Sequence, residues 1–108
     1  MPDQDIIESV NQYEARLCAQ GVPVAFVVVY GSYARGDYHK WSDIDVLVVS
    51  PVFDGEMKAE DVNTLWRTAG QTDRRIEPVA CGLKQWSEDT SSAIIEIARC
   101  EGKQIRAA

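Results

Sequence analysis

Apolar positions along the chain change period several times, and each change marks an element. From Asp3 to Gln20, Ile6, Ile7, Val10, Tyr13 (or Glu14) and Leu17 recur at helical spacing. This predicts an amphipathic helix with Asp3 as its N-cap and Gly21 and Pro23 as its stop signals. Val24 to Tyr30 is instead a near-continuous apolar run, the pattern of a strand covered on both faces inside a sheet. Gly31-Ser32 breaks that run, and Tyr33-Ala34-Arg35 predicts a short helix before Gly36. The residues from Asp37 to Ser42 are polar and aromatic and read as a loop or the tail of that helix. Ile44 to Val49 repeats the buried-strand pattern, and Pro51 to Gly55 is a turn-rich connection. Glu56 to Ala69 predicts a second long helix, with Ala59, Val62, Leu65, Trp66 and Ala69 on one face and Gly70 as its stop. Trp66 is therefore expected in the core. Arg75 to Cys81 is a shorter strand that Pro78 places towards a sheet edge. Ser91 to Cys100 predicts the last helix, carrying Ile94, Ile95, Ile97 and Ala98 and ended by Gly102. Lys103 to Ala108 offers a brief final strand. The order predicts an α/β (α+β) fold, helices packed on a small sheet as one layer pair.

Composition narrows the function classes. A chain of 108 residues suits a single domain spanning 1–108. Hydrophobic content of 45% and charged content of 26% are ordinary for a soluble globular protein. Eleven Lys and Arg against seventeen Asp and Glu give a net charge of −6. That balance argues against a broad nucleic-acid surface, which needs basic side chains to displace counterions from phosphates. Cys18, Cys81 and Cys100 are odd in number and widely spaced, so they read as reduced thiols packed as small hydrophobes. No apolar run approaches the ~20 residues that span a bilayer. The acidic N-terminus lacks the charge pattern of a signal peptide, and a cytoplasmic location is expected.

The chemistry concentrates between the first two strands. Asp43 and Asp45 stand two apart at the start of a strand, so alternation turns both carboxylates to one face while Ile44 turns to the other. Two like charges side by side are unfavourable unless a cation lies between them, and oxygen-only donors favour Mg²⁺ or Mn²⁺ over zinc. By itself the pair reads more readily as a solvated, edge-protecting device. The Gly31-Ser32 turn changes that balance. Glycine lets the backbone approach a ligand closely, and serine offers a hydroxyl and an amide. Helix N-terminal amides after such a turn suit a phosphate. Glu77, a charge within a short apolar strand, needs a partner: a salt bridge to Arg74 or Arg75, or a place as the third metal carboxylate, with Asp73 as the weaker substitute.

The stretch GSYARGDYHKWSDIDVLVVS resembles the motif of the nucleotidyltransferase superfamily of DNA polymerase β, and more narrowly that of the minimal MNT-domain nucleotidyltransferases. Their pattern is Gly-Ser, ten residues, then Asp-x-Asp. Gly31-Ser32 and Asp43-Ile44-Asp45 match it, as do Ala34-Arg35-Gly36 and Ser42. The resemblance implies a small mixed β-sheet with helices packed on it. It implies that Asp43 and Asp45 hold two Mg²⁺ ions (or Mn²⁺) and that Gly31 and Ser32 bind the nucleotide phosphates. Glu77 corresponds to the third acid, where many relatives carry Asp. Arg35 serves either the phosphates or a surface ion pair. His39 and Lys40 lie in the loop near the nucleotide, His39 reading as simple exposure. Tyr33, Tyr38 and Trp41 are candidates for stacking on a base or a partner.

The implied reaction moves AMP from ATP to a hydroxyl, releasing pyrophosphate. Larger members present the acceptor on a second domain, for which this chain has no room, so another protein or a second copy completes the site. In the MNT family that partner is often a HEPN-domain RNase toxin, silenced by AMPylation of a tyrosine. The alternatives are a catalytically idle antitoxin or interaction module, against which the intact acids argue, and a small-molecule nucleotidyltransferase. A tRNA-tailing enzyme would need basic surface. Direct nucleic-acid and membrane partners are not expected.

Overall fold

The computed structural model describes residues 4–39 and 42–105; the expected roles of Asp3, Lys40 and Trp41 lie outside the described residues. The elements run α1 (Gln4–Ala19), β1 (Phe26–Tyr30), α2 (Ser32–Arg35), β2 (Ile44–Ser50), α3 (Ala59–Thr72), β3 (Ile76–Gly82), α4 (Leu83–Glu88), α5 (Ala93–Glu101) and β4 (Lys103–Ile105). A 3₁₀ turn at Pro51–Phe53 follows β2. The strands form one mixed sheet in the order β3-β2-β1-β4, antiparallel at β1–β2 and β1–β4 and parallel at β2–β3.

The two apolar runs are the two interior strands, as their unbroken hydrophobicity requires, and β3 with its Pro78 is an edge strand. The expected single layer pair is corrected to three layers, because apolar side chains alternate to both faces of β1 and β2. On one face Val27, Val29, Val46 and Val48 meet Ile6, Val10, Tyr13 and Leu17 of α1 and Leu65 and Ala69 of α3. On the other, Phe26, Val28, Leu47, Val49 and Cys81 meet Ile95 and Ala98 of α5, with Trp86 of α4 against them. The Trp86 ring stands edge-on to Phe26, centroids 5.6 Å apart.

Three helix expectations change. α3 begins at Ala59 and runs through Gly70 to Thr72, so Gly70 is not its stop. Trp66 is 51% exposed. Leu65, Thr68 and Ala69 form the buried i, i+3, i+4 stripe, and Trp66, one position on from Leu65, turns away from it. Two polar bonds fix this packing: Tyr13 Oη donates to Leu65 O at 2.9 Å, and Gln20 Nε2 to Thr68 Oγ1 at 2.7 Å. On α5 only Ile95 and Ala98 are buried, while Ile94 and Ile97 are exposed. The sequence pattern omits α4. Its start is organised by Asp54, whose carboxylate accepts from the amides of Lys84 (3.1 Å) and Gln85 (3.3 Å). Among the cysteines only Cys81 is buried, its thiol pushed up to about 11 by desolvation; Cys18 and Cys100 are exposed.

Candidate active site

Register builds the site. On the α5 side of the sheet, Phe26, Val49 and Cys81 form one cross-strand row, and Val28, Leu47 and Val79 the next. One step further, two residues along each strand, the row is Tyr30, Asp45 and Glu77. The apolar rows lie under Trp86, Ile95 and Ala98, and in the third row Tyr30 still packs against the edge of that cluster. Asp45 is half-buried, while Asp43, just before β2, and Glu77 are exposed. The strand pairing thus brings Glu77 beside Asp45, as the three-acid reading requires.

The electrostatics of this row are those of crowded like charges. Desolvation and the neighbouring Asp43 raise the Asp45 carboxyl above its ordinary range, with Arg35 opposing. Glu77 is raised by desolvation, then by Asp43 and Asp45, and a hydrogen bond shared with Asp43 favours its protonated form. Arg75 does not neutralise Glu77: its guanidinium grips Asp73 and reaches Asp5. Asp73, accepting from Arg75 and Ser9, is committed elsewhere and does not substitute for Glu77. Tyr30, which the sequence reading passed over as the last residue of an apolar run, borders the acids. Burial and the charges of Asp45 and Glu77 push its phenol up to about 12.

Gly31 joins the turn to the acids. It has φ +75°, and a Cβ there would overlap Asp45 Oδ2. Only glycine allows both the backbone conformation and the close approach to the carboxylate. Gly31 also precedes α2, accepting from the amides of Ala34 (3.1 Å) and Arg35 (3.0 Å). The Ser32 and Tyr33 amides, at the first turn, have no carbonyl within the helix to bond. Ser32 is half-buried.

Arg35 takes the ion-pair option: its Nε is 3.2 Å from Asp37 Oδ2 and its Nη1 3.0 Å from Glu101 Oε1 at the end of α5. Tyr33 is only 3% exposed and stacks on Tyr38 at 4.3 Å with planes 19° apart, so it is a core residue and not a platform for a base. His39 is exposed and its amide donates to Ser42 Oγ.

Asp43, Asp45 and Glu77 offer carboxylate oxygens at this end of the sheet, a donor type that suits Mg²⁺ or Mn²⁺. Among the described residues no group of three or more His, Cys, Asp or Glu side chains is arranged so that it could hold a metal ion. The row is an open one, with exposed Asp43 and Glu77 flanking Asp45. A concavity of about 510 Å³ lies elsewhere: Cys18, Val22, Pro23, Val24, Pro51 and Leu83 line it, where β1 begins and β2 and β3 end. It contains none of the acids. Among the described residues no helix is long and apolar enough to cross a membrane.

A family model described as a nucleotidyltransferase domain matches residues 10–104. A curated relative, a predicted protein adenylyltransferase of Methanocaldococcus jannaschii, is 58% identical over 26 residues, 24% of this chain and 26% of its own length. The chain thus aligns with about a quarter of that relative. A crystal structure of a predicted nucleotidyltransferase from Sulfolobus solfataricus superposes with TM-score 0.64 at 18% identity, covering 93% of this chain and 78% of the other. A toxin–antitoxin structure with AMP-PNP gives 0.60 at 20% identity, covering 91% and 73%. A complex of tri-AMPylated Shewanella oneidensis HEPN toxin with MNT antitoxin gives 0.53 at 18% identity, covering 94% and 73%. At these identities the three structures establish the fold.

Proposed function

Because this chain belongs to the nucleotidyltransferase-domain family, we propose that it transfers AMP from ATP to a hydroxyl of a partner protein. The acceptor proposed is a tyrosine of a HEPN-type toxin, which makes this chain the antitoxin. One observation carries the reading: strand register sets Asp45 beside Glu77 at one end of the sheet, with Gly31 packed against Asp45. A purely structural sheet end gains nothing from adjacent carboxylates that raise one another's pKa. The acceptor class is supported by the fold shared with an MNT antitoxin bound to an AMPylated HEPN toxin. It is supported too by the short match to a predicted protein adenylyltransferase.

Asp43, Asp45 and Glu77 would hold Mg²⁺ or Mn²⁺, with ATP as the second ligand. The chemistry such an ion supplies when bound is a lowered acceptor pKa and charge neutralisation on the departing pyrophosphate. The chain's own residues do the rest. Ser32, with its hydroxyl and amide, and the first-turn amides of α2 bind phosphate oxygens. Gly31 lets that backbone close on Asp45. Glu77 sits nearest the sheet edge, where an acceptor tyrosine enters from outside, and takes up the hydroxyl proton as the oxygen attacks the α-phosphate. The Tyr30 phenol, pushed up to about 12, stays neutral beside the acids. Arg35, held by Asp37 and Glu101, adds positive charge beside the turn.

The test is intact mass spectrometry of the protein that co-purifies with this chain, before and after Mg²⁺ and ATP. The expected result is a partner that gains AMP units with the native acids and none with the Asp43→Asn/Asp45→Asn variant. A partner that binds both forms and gains nothing would instead identify an antitoxin acting by occlusion.

A further inference from the structure

The site joins three segments that are separate in sequence: the Gly31-Ser32 turn, the acids of β2 and Glu77 on β3. The strand ladder fixes the last two against each other, Asp45 opposite Glu77. The turn has no such ladder beyond Tyr30, because α2 is one short helical segment leading into a polar loop. On the α5 side Arg35 pairs with Glu101, and on the opposite face Tyr33 enters the core beneath α1 and α3.

Arg75 sits where all three meet. Its carbonyl accepts the amide of Ile44, the residue between the two aspartates, at 2.7 Å. Its guanidinium is set in plane by a two-pronged grip on Asp73: Nε to Oδ1 at 3.1 Å and Nη2 to Oδ2 at 2.7 Å. Asp73 is itself fixed by the Arg75 amide (3.0 Å) and by Ser9 Oγ of α1 (3.0 Å). The remaining nitrogen, Nη1, donates to Tyr33 Oη at 3.4 Å. Tyr33 follows Ser32 directly, is buried, and is clamped by the Tyr38 ring. One side chain thus ties α1 and the end of α3 to the residue beside the phosphate-binding serine.

We propose that Arg75 is a positioning residue, holding the Gly31-Ser32 turn at its distance from the acids through Tyr33, a role that rests on the nucleotidyl-transfer reading of the site. Lysine at this position keeps the charge but cannot grip Asp73 with two prongs and reach Tyr33 at once. The acids act on the reacting groups; Arg75 acts only on where the turn lies. Its loss therefore weakens nucleotide engagement and leaves turnover at saturating ATP nearly intact.

The experiment compares Arg75→Lys, Tyr33→Phe and the double variant, with Asp5→Asn as a control that removes the other, exposed contact of the guanidinium. Tyr33→Phe keeps the stack on Tyr38 and the fold, so the test survives if Arg75→Lys is poorly folded. The readouts are KM and kcat for ATP, binding of a non-hydrolysable ATP analogue with Mg²⁺, and hydrogen exchange at the amides of residues 34–36. Expected is a rise of about fivefold in KM and in the analogue's Kd for each single variant, the size of one ordinary hydrogen bond. The double variant should cost no more than Arg75→Lys alone, and exchange should quicken at 34–36 but not along β2. Additive effects, a fall in kcat with KM unchanged, or Asp5→Asn behaving as Arg75→Lys would overturn the role. Failure of the transfer reading looks different: the native chain itself then binds no analogue, and the role falls with it even if exchange at 34–36 responds.

Discussion

Asp73 and Glu77 flank the entry to β3, and their carboxyls are driven in opposite directions. Asp73 lies below its ordinary range because the Arg75 guanidinium donates to both its oxygens, with the Arg75 amide and Ser9 adding two more bonds. Glu77 lies above it, through desolvation and the negative charge of Asp43 and Asp45. The first is a carboxylate whose partners are all in the chain. The second is crowded among like charges. Acidic residues of one kind hold the fold together, and those of the other weaken it locally until something positive arrives.

Removing the crowded charges tests that contrast most severely. Asp43→Asn with Asp45→Asn should lower the proposed AMP transfer on the order of a thousandfold or more, since the charge stabilisation of the proposed metal would go with them. The same change should leave the apo melting temperature equal or higher, because repulsion is relieved. Adding Mg²⁺ should raise the melting temperature of the native chain and not that of the variant, as binding to the folded state alone stabilises it. A variant that melts lower than the native chain without Mg²⁺ would place these acids with Asp73.

Gly31→Ala comes next. It forces a side chain into φ +75°, ψ −150° and against Asp45 Oδ2, costing about 1–3 kcal/mol in backbone conformation alone. It should also displace the carboxylate, so activity should fall further than stability, read by urea unfolding beside a transfer assay. Asp73→Asn sharpens the other side. Its native pKa is lowered, so its contribution is fully present above the unfolded value of about 3.9 and is lost as pH falls through the native one. The variant should be less stable at pH 7 by about 1–2 kcal/mol, allowing for the partial exposure of Arg75. Unfolding midpoints of the two proteins should converge well below pH 4. The smallest effect concerns neither group: Gly70→Ala lies inside α3, where an added Cβ meets nothing within 4 Å. It should raise stability by about 0.5–1 kcal/mol, checked by thermal unfolding.

Much of this was readable from residue order because the signals are local. Unbroken apolar runs marked β1 and β2 as interior strands, Pro78 marked the edge, and Gly31-Ser32 with Asp43 and Asp45 marked the candidate site. What escaped depends on partners distant in sequence. α4 has six residues, too few for a period, and its start is organised by Asp54, some thirty positions earlier. Trp66 fails a count of apolar residues because the i, i+3, i+4 stripe recruits Thr68, which Gln20 satisfies. Gly70 resembled a stop because glycine often is one, yet α3 passes through it. Tyr30 was hidden within an apolar run, and its place beside the acids follows only from the register of β1 on β2.

The mixed sheet also sets an order of assembly. β1 and β2 pair antiparallel and are close in sequence, so the Gly-Ser turn and the two aspartates can meet through a local loop closure. β3 joins β2 in parallel and must wait for the whole crossover through α3. Glu77 is thus expected to be the last acid to arrive. A nascent or partly unfolded chain would carry the turn and the aspartate pair without their third member, so catalytic competence should appear only once β3 has paired with β2.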